Sequence, residues 1–204
     1  VAVRRRALIL AAALAAGLAG CERKAAPQAS FKGVDITGAE YANALDLPDV
    51  DGRERHLADF EGKATVVFFG YTQCPDVCPT TLAEIAEVKR RLGADGARVQ
   101  GVFVTVDPER DTAEVLKAYV GNFGADFLAL RGTPEQTKAA AKNFKVYFNK
   151  VPGQTAGSYT IDHTAGAYLF DTQGRVRVFT RYGGGAAALE HDLRLLLGLP
   201  APAG

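Results

Sequence analysis

The side chains best suited to chemistry in this sequence are Cys74 and Cys78, set in the stretch Tyr71-Thr-Gln-Cys-Pro-Asp-Val-Cys-Pro-Thr-Thr81. Two thiols so spaced can exchange disulfides, clamp a soft metal ion or form a structural staple. The staple is the weakest of the three accounts, because closing so short a loop returns little entropy. A thioredoxin-type redox motif has two residues between its cysteines, and this pair has three. Pro79 disfavours a helical conformation at Cys78, and Thr81 with Glu84 forms a capping-box pattern. The helix is therefore expected to begin at Thr81, with both cysteines on a loop at its N-terminal mouth. Oriented N–H groups and the positive end of the helix dipole favour thiolate over thiol there. Spacing alone does not choose between disulfide exchange and metal binding.

A third ligand would choose, and the chain has three histidines. His56 lies in a polar turn and His191 beside Glu190 and Asp192, so both read as surface residues. His163, in Tyr159-Thr-Ile-Asp-His-Thr164, is flanked by apolar and β-forming residues. Alone it would read as a packed core histidine; with the cysteine pair it completes a Cys₂His set. Two thiolates and an imidazole suit copper or zinc, and thiolates favour Cu(I) in particular. A structural zinc site normally has four protein ligands. Asp162 adjoins His163, but neighbouring strand residues point to opposite faces, which leaves Asp162 at most a supporting role. An open three-ligand site is suited to passing its metal on.

The surrounding elements must hold these groups. Ala64 to Tyr71 is a continuous apolar run with β-branched and aromatic members, which predicts a buried strand. Leu82 to Leu92 has near-helical apolar spacing, Arg98 to Val106 reads as a second buried strand, and Thr112 to Phe123 as an amphipathic helix. A short strand at 127–130 and a helix from the Thr133 cap to about Asn143 follow. Next come a hairpin turning at Asp171-Thr-Gln-Gly174 and a closing helix from Ala186 to Leu197. This order predicts an α/β fold, a central mixed β-sheet with helices on both faces. The cysteine pair falls at the carboxyl end of the first long strand, where open α/β sheets place their sites; thioredoxin-like folds keep their active cysteines there too.

At the N-terminus, Arg4, Arg5 and Arg6 precede an uncharged apolar run, Ala7 to Ala19, that is short for a bilayer span of about 20 residues. The run leads to Leu18-Ala19-Gly20-Cys21, as expected of a processed export signal. The string resembles a bacterial lipobox, in which the cysteine is lipidated. Residues 1–20 are thus expected to be a lipoprotein-type signal, 21–32 a lipidated tether and 33–200 one domain. With the three leader arginines removed, basic residues are slightly outnumbered by the 23 acidic ones, so the chain offers no electrostatic footprint for nucleic acid.

The blocks FFGYTQCPDVCPTTL, VDPERDT and YTIDHTAGAYLFD together resemble the Sco (SenC) family, copper-binding assembly factors of cytochrome c oxidase. FKGVDITGAEYA and GTPEQTKAAAKNFKVYF are similar to its bacterial branch. Ile161 stands where the family often has Val. The resemblance implies a thioredoxin-like fold held at the outer, periplasmic side of the cytoplasmic membrane, anchored through Cys21. It implies copper, as Cu(I) and Cu(II), bound by Cys74, Cys78 and His163, with a Cys74–Cys78 disulfide as the oxidised alternative. The implied partners are the copper-binding subunit of the oxidase, an upstream copper donor and a thiol reductant. Asp107 matches a family motif, and its expected role lies between turn chemistry and support of the site. Copper delivery, thiol reduction of the oxidase subunit and a peroxidase-like role are the competing functions. The histidine separates them, because disulfide exchange needs only two thiols.

Overall fold

The computed structural model describes residues 30–200. The signal segment and Cys21 lie outside the described residues. Two strands, β4 (Ala64–Gly70) and β5 (Val99–Thr105), form the centre of the molecule and are buried along their whole length. They run parallel, pairing Ala64 with Val99 through to Gly70 with Thr105. Their uninterrupted apolar sequences are what a strand covered on both faces requires. The other members of this sheet are β1 (Val34–Asp35), β6 (Leu128–Leu130), β9 (Gly166–Phe170) and β10 (Val176–Arg181). The order across it is β1-β10-β9-β4-β5-β6. β6 continues the parallel half, while β9 and β10 form the antiparallel half.

Alternation along β4 divides the core. Val66 and Phe68 face a layer containing helices α1 (Val77–Arg91), α2 (Ala113–Gly121) and α4 (Gly185–Leu196). Val67 and Phe69 face α3 (Pro134–Asn143) and the segment around Leu45 and Leu47. Helices therefore cover both faces, as expected. Thr112 and Thr133 cap α2 and α3 through their side chains, and Thr133 forms a capping box with Gln136. The folded unit begins slightly before the expected boundary, at Phe31. Phe31 packs on the core, and the buried Asp192 carboxylate accepts the N–H groups of Lys32 and Gly33.

Two small antiparallel pairs stand outside the central sheet: β2 (Leu47–Pro48) with β3 (Glu54–Arg55), and β7 (Phe148–Pro152) with β8 (Tyr159–His163). The second hairpin carries His163 at the end of β8, paired with Phe148. Among the described residues no helix is long and apolar enough to cross a membrane.

Candidate metal centre

The first strand-to-helix connection supplies both sulfur atoms. β4 ends at Gly70, and a turn closed by the Cys74 N–H on the Tyr71 carbonyl leads to α1. The helix begins at Val77 with Asp76 as its N-cap, several residues before the expected start at Thr81. Thr81 lies inside the helix, its hydroxyl donating to the Val77 carbonyl at 2.8 Å. Pro79 sits in the first turn, where a missing N–H leaves no intrahelical bond unmade. Burial of the Cys78 side chain overrides the local bias against helix before proline. Cys74 is thus on the loop and Cys78 in the opening turn.

Cys78 is fully buried, whereas Cys74 is half-buried at the seam between the two halves of the core. Gly70 makes room for the buried sulfur. A Cβ at that position would lie 2.7 Å from Cys78 Sγ and 2.9 Å from the Phe103 ring. A glycine ending a buried strand signals such a close approach.

His163 reaches the sulfurs from the separate β7–β8 hairpin. Its Nε2 is 3.5 Å from Cys78 Sγ, and the three donor atoms of Cys74, Cys78 and His163 lie within 4.8 Å of one another. Nδ1 is 3.1 Å from the Thr164 carbonyl. A carbonyl only accepts, so Nδ1 carries the proton and the Nε2 lone pair faces the sulfurs. This is how outer hydrogen bonds select the ligating nitrogen of an imidazole. Phe68 and Tyr71 stand edge-on to the ring, with centroids 6.0 and 5.9 Å away.

The two thiols are electrostatically unlike. A hydrogen bond from the Cys78 thiol, supported by the N–H groups of Asp76 and Cys78, outweighs burial and holds Cys74 at about 4. The same hydrogen bond requires the Cys78 proton, so it pushes Cys78 up, and burial adds to that. The reduced pair is a half-buried thiolate beside a fully buried thiol.

Other sequence-derived candidates fall outside this group. β8 turns Tyr159, Ile161 and His163 inward, leaving Asp162 exposed on the opposite face. The buried Asp107 carboxylate accepts from Arg110 and from the Tyr159 hydroxyl, and its carbonyl closes the following turn. His56 is exposed and pairs with Asp46. His191, expected at the surface, has a largely buried side chain against Asp192, because that carboxylate is drawn inward to hold the start of β1.

Asp111 is a site residue that the sequence does not announce. It is fully buried and accepts the Thr72 N–H, the Thr72 hydroxyl at 2.6 Å and the Thr105 hydroxyl at 2.5 Å. Burial raises its pKa, with these hydrogen bonds acting in the opposite sense. Asp111 ties the cysteine loop to the end of β5. Its one sequence signal is its place beside Arg110 in the Asp107–Thr112 block, which does not report a contact 39 residues away in the chain.

The thiol asymmetry predicts the alkylation profile of the reduced, metal-free protein. The thiolate is the reactive form, so a Cys74 pKa lowered to about 4 leaves it ionised throughout neutral pH. Iodoacetamide should modify Cys74 at a rate nearly flat between about pH 6 and 8, and Cys78 much more slowly. A rate rising about tenfold per pH unit over that range, as for an ordinary thiol, would contradict the assignment. Peptide mass mapping of the two sites makes the measurement.

Comparison with known proteins identifies the family of the chain. The SCO1/SenC family model matches residues 34–198. The mitochondrial SCO2 homolog of Homo sapiens is 39% identical over 146 residues, covering 71% of this chain and 54% of that protein. A SCO2-like protein of Rickettsia prowazekii is 38% identical over 132 residues, 64% of each chain. The chain therefore spans about half to two thirds of these curated relatives. The structure of Bradyrhizobium japonicum ScoI with copper bound is similar at a TM-score of 0.68 and 40% identity, over 76% of this chain and 98% of that one. The apo Sco1 solution structures from Thermus thermophilus give a TM-score of 0.69 at 33% identity, over 84% and 100%. Matched along nearly all of its folded length, the chain belongs to the SCO1/SenC family.

Proposed function

We propose that this chain is a copper carrier that serves assembly of the binuclear copper site of cytochrome c oxidase. The observation that carries the reading is the convergence of two sulfurs and one imidazole nitrogen within 4.8 Å. No fourth Cys, His, Asp or Glu joins that group among the described residues. Two thiolates satisfy Cu(I), the imidazole adds a harder donor for Cu(II), and the set leaves a structural zinc site one ligand short. The half-buried Cys74 keeps one side approachable, as ligand exchange with a partner requires. The copper-bound ScoI relative supports the choice of metal.

In this reading Cu(I) is held by the Cys74 and Cys78 sulfurs, and Cys78 gives up its proton as the metal enters. Cu(II) prefers more ligands and harder nitrogen donors, and His163 supplies one. The cargo comes from an upstream copper donor and passes to the copper-binding subunit of the oxidase. Lipidation at Cys21 would hold the domain at the outer face of the cytoplasmic membrane.

The thiolate–thiol asymmetry favours a second activity of the same pair. Cys74 can attack a disulfide of the oxidase subunit, expelling one of its sulfurs as thiolate and forming a mixed disulfide. Cys78, losing its proton, then attacks Cys74, releasing the second sulfur and leaving a Cys74–Cys78 disulfide. Two electrons pass to the partner, and a thiol reductant must restore the pair.

Anaerobic copper titration of single variants tests the reading. Cys74→Ser and Cys78→Ser should each lower Cu(I) affinity at least about a hundredfold, since one thiolate replaces two. His163→Ala should weaken Cu(II) far more than Cu(I) while sparing disulfide exchange. A serine variant with near-native Cu(I) affinity would overturn the two-thiolate site. A His163→Ala protein that binds Cu(II) poorly yet still supports oxidase assembly would favour the reductase over the carrier. Anchoring has its own test. Cys21→Ala should release the protein from membranes or leave its signal uncleaved, and a processed variant still in the membrane fraction would exclude a lipid anchor.

A further inference from the structure

The histidine and the cysteines belong to separate pieces of structure. The β4–α1 connection and the first turn of α1 carry the sulfurs, whereas His163 ends a hairpin that is not hydrogen-bonded into the central sheet. Some contact must fix one against the other, and Arg110 stands at the junction. Its guanidinium lies 3.6 Å over the Tyr159 ring, at the start of β8. Nη1 donates to the Tyr159 carbonyl at 2.9 Å and to the Gln73 side-chain oxygen at 3.1 Å, next to Cys74. Nε donates to the buried Asp107 carboxylate, whose other oxygen accepts the Tyr159 hydroxyl at 2.8 Å. The guanidinium also lies 5.8 Å from the Tyr71 ring, which stands edge-on to His163.

One other ion pair crosses this junction among the described residues. The Lys150–Glu109 pair is exposed and so contributes little. Ile161 of β8 is buried in the same core cluster as Tyr71, reinforcing the same register. Nη2 of Arg110 is buried without a partner, a cost that a purely stabilising ion pair would avoid. The side chain leaves one donor unmatched and keeps its fork and its stack on Tyr159.

We propose that Arg110, held by Asp107, is a positioning residue: it clamps the β7–β8 hairpin to the cysteine loop and so decides whether His163 joins the two sulfurs. The proposal rests on the copper reading of the site. It makes Arg110 a determinant of preference between oxidation states. Cu(I), held by the cysteines alone, does not need the clamp; Cu(II) does. Lysine keeps the charge but loses the planar fork and the stack, so Arg110→Lys isolates the clamp.

The test is a double-mutant cycle read by copper affinity and by electron paramagnetic resonance of the Cu(II) form. Arg110→Lys should weaken Cu(II) about tenfold or more, the range for outer groups that orient a ligand. It should reduce the imidazole-nitrogen hyperfine signal and leave Cu(I) affinity within about twofold. Added to His163→Ala, it should cause no further loss of Cu(II) affinity, because the clamp acts through the histidine. An equal loss in both backgrounds, or a parallel fall in Cu(I) and Cu(II), would overturn the proposal. If His163→Ala shifts the preference and Arg110→Lys does not, the clamp alone fails. If His163→Ala shifts nothing, the three-ligand reading fails and takes the clamp with it. Should Arg110→Lys not fold, Tyr159→Phe, which removes only the hydroxyl bonded to Asp107, takes its place in the cycle. A smaller loss of Cu(II) affinity is then expected, with Cu(I) unchanged and nothing added in the His163→Ala background, and the same patterns would overturn the clamp.

Discussion

The Cys78 sulfur is seated in the space that Gly70 leaves at the end of β4, a space that the Phe103 and Phe68 rings also border. That close approach fixes the first turn of α1 to the sheet, and most of the site's geometry follows from it. With Cys78 held there, the loop from Tyr71 to Asp76 must turn back so that its Cys74 N–H meets the Tyr71 carbonyl. Cys74 is thereby brought beside a buried thiol and the first N–H groups of the helix. Its lowered pKa is a consequence of this packing: the thiol next to it keeps its proton and donates it, and the helix mouth favours charge. Asp111 secures the same loop from the other strand, through Thr72 and Thr105.

The proposed ligand set is divided between a rigid part and an appended one. The cysteines lie where a fully buried strand passes into the helix packed on it, Cys74 on the short connection and Cys78 in the first turn. The histidine arrives on a hairpin whose five-residue strands are mostly half-buried or exposed. Regions with few buried apolar contacts open at lower free energy than the core. The division therefore suits a carrier that must keep its thiolate pair formed while adding or releasing a third ligand.

What is legible in the sequence follows the strength of its periodic signals. β4 and β5 are evident because an uninterrupted apolar run has few alternatives, and Thr112 and Thr133 mark the two middle helices because their caps are local chemistry. The start of α1 is where local pattern misleads. The capping signal at Thr81 is local too, but it loses to the burial of Cys78, a tertiary contact with a glycine eight residues earlier. The β7–β8 hairpin gives no clear signal, since Phe148–Pro152 and Tyr159–His163 mix polar and apolar residues without a full buried face. The three site residues are found by type and resemblance. Arg110, Tyr159 and Asp111 are not, because what they do depends on contacts between segments far apart in the chain.

X-ray absorption at the copper edge, on the same domain loaded anaerobically with Cu(I) and then oxidised to Cu(II), tests the central claim most directly. Two sulfur neighbours are expected in both states and an imidazole nitrogen is added in Cu(II), with that nitrogen missing in His163→Ala. A Cu(I) spectrum with a single sulfur, or a native Cu(II) spectrum without imidazole scattering, would contradict that claim.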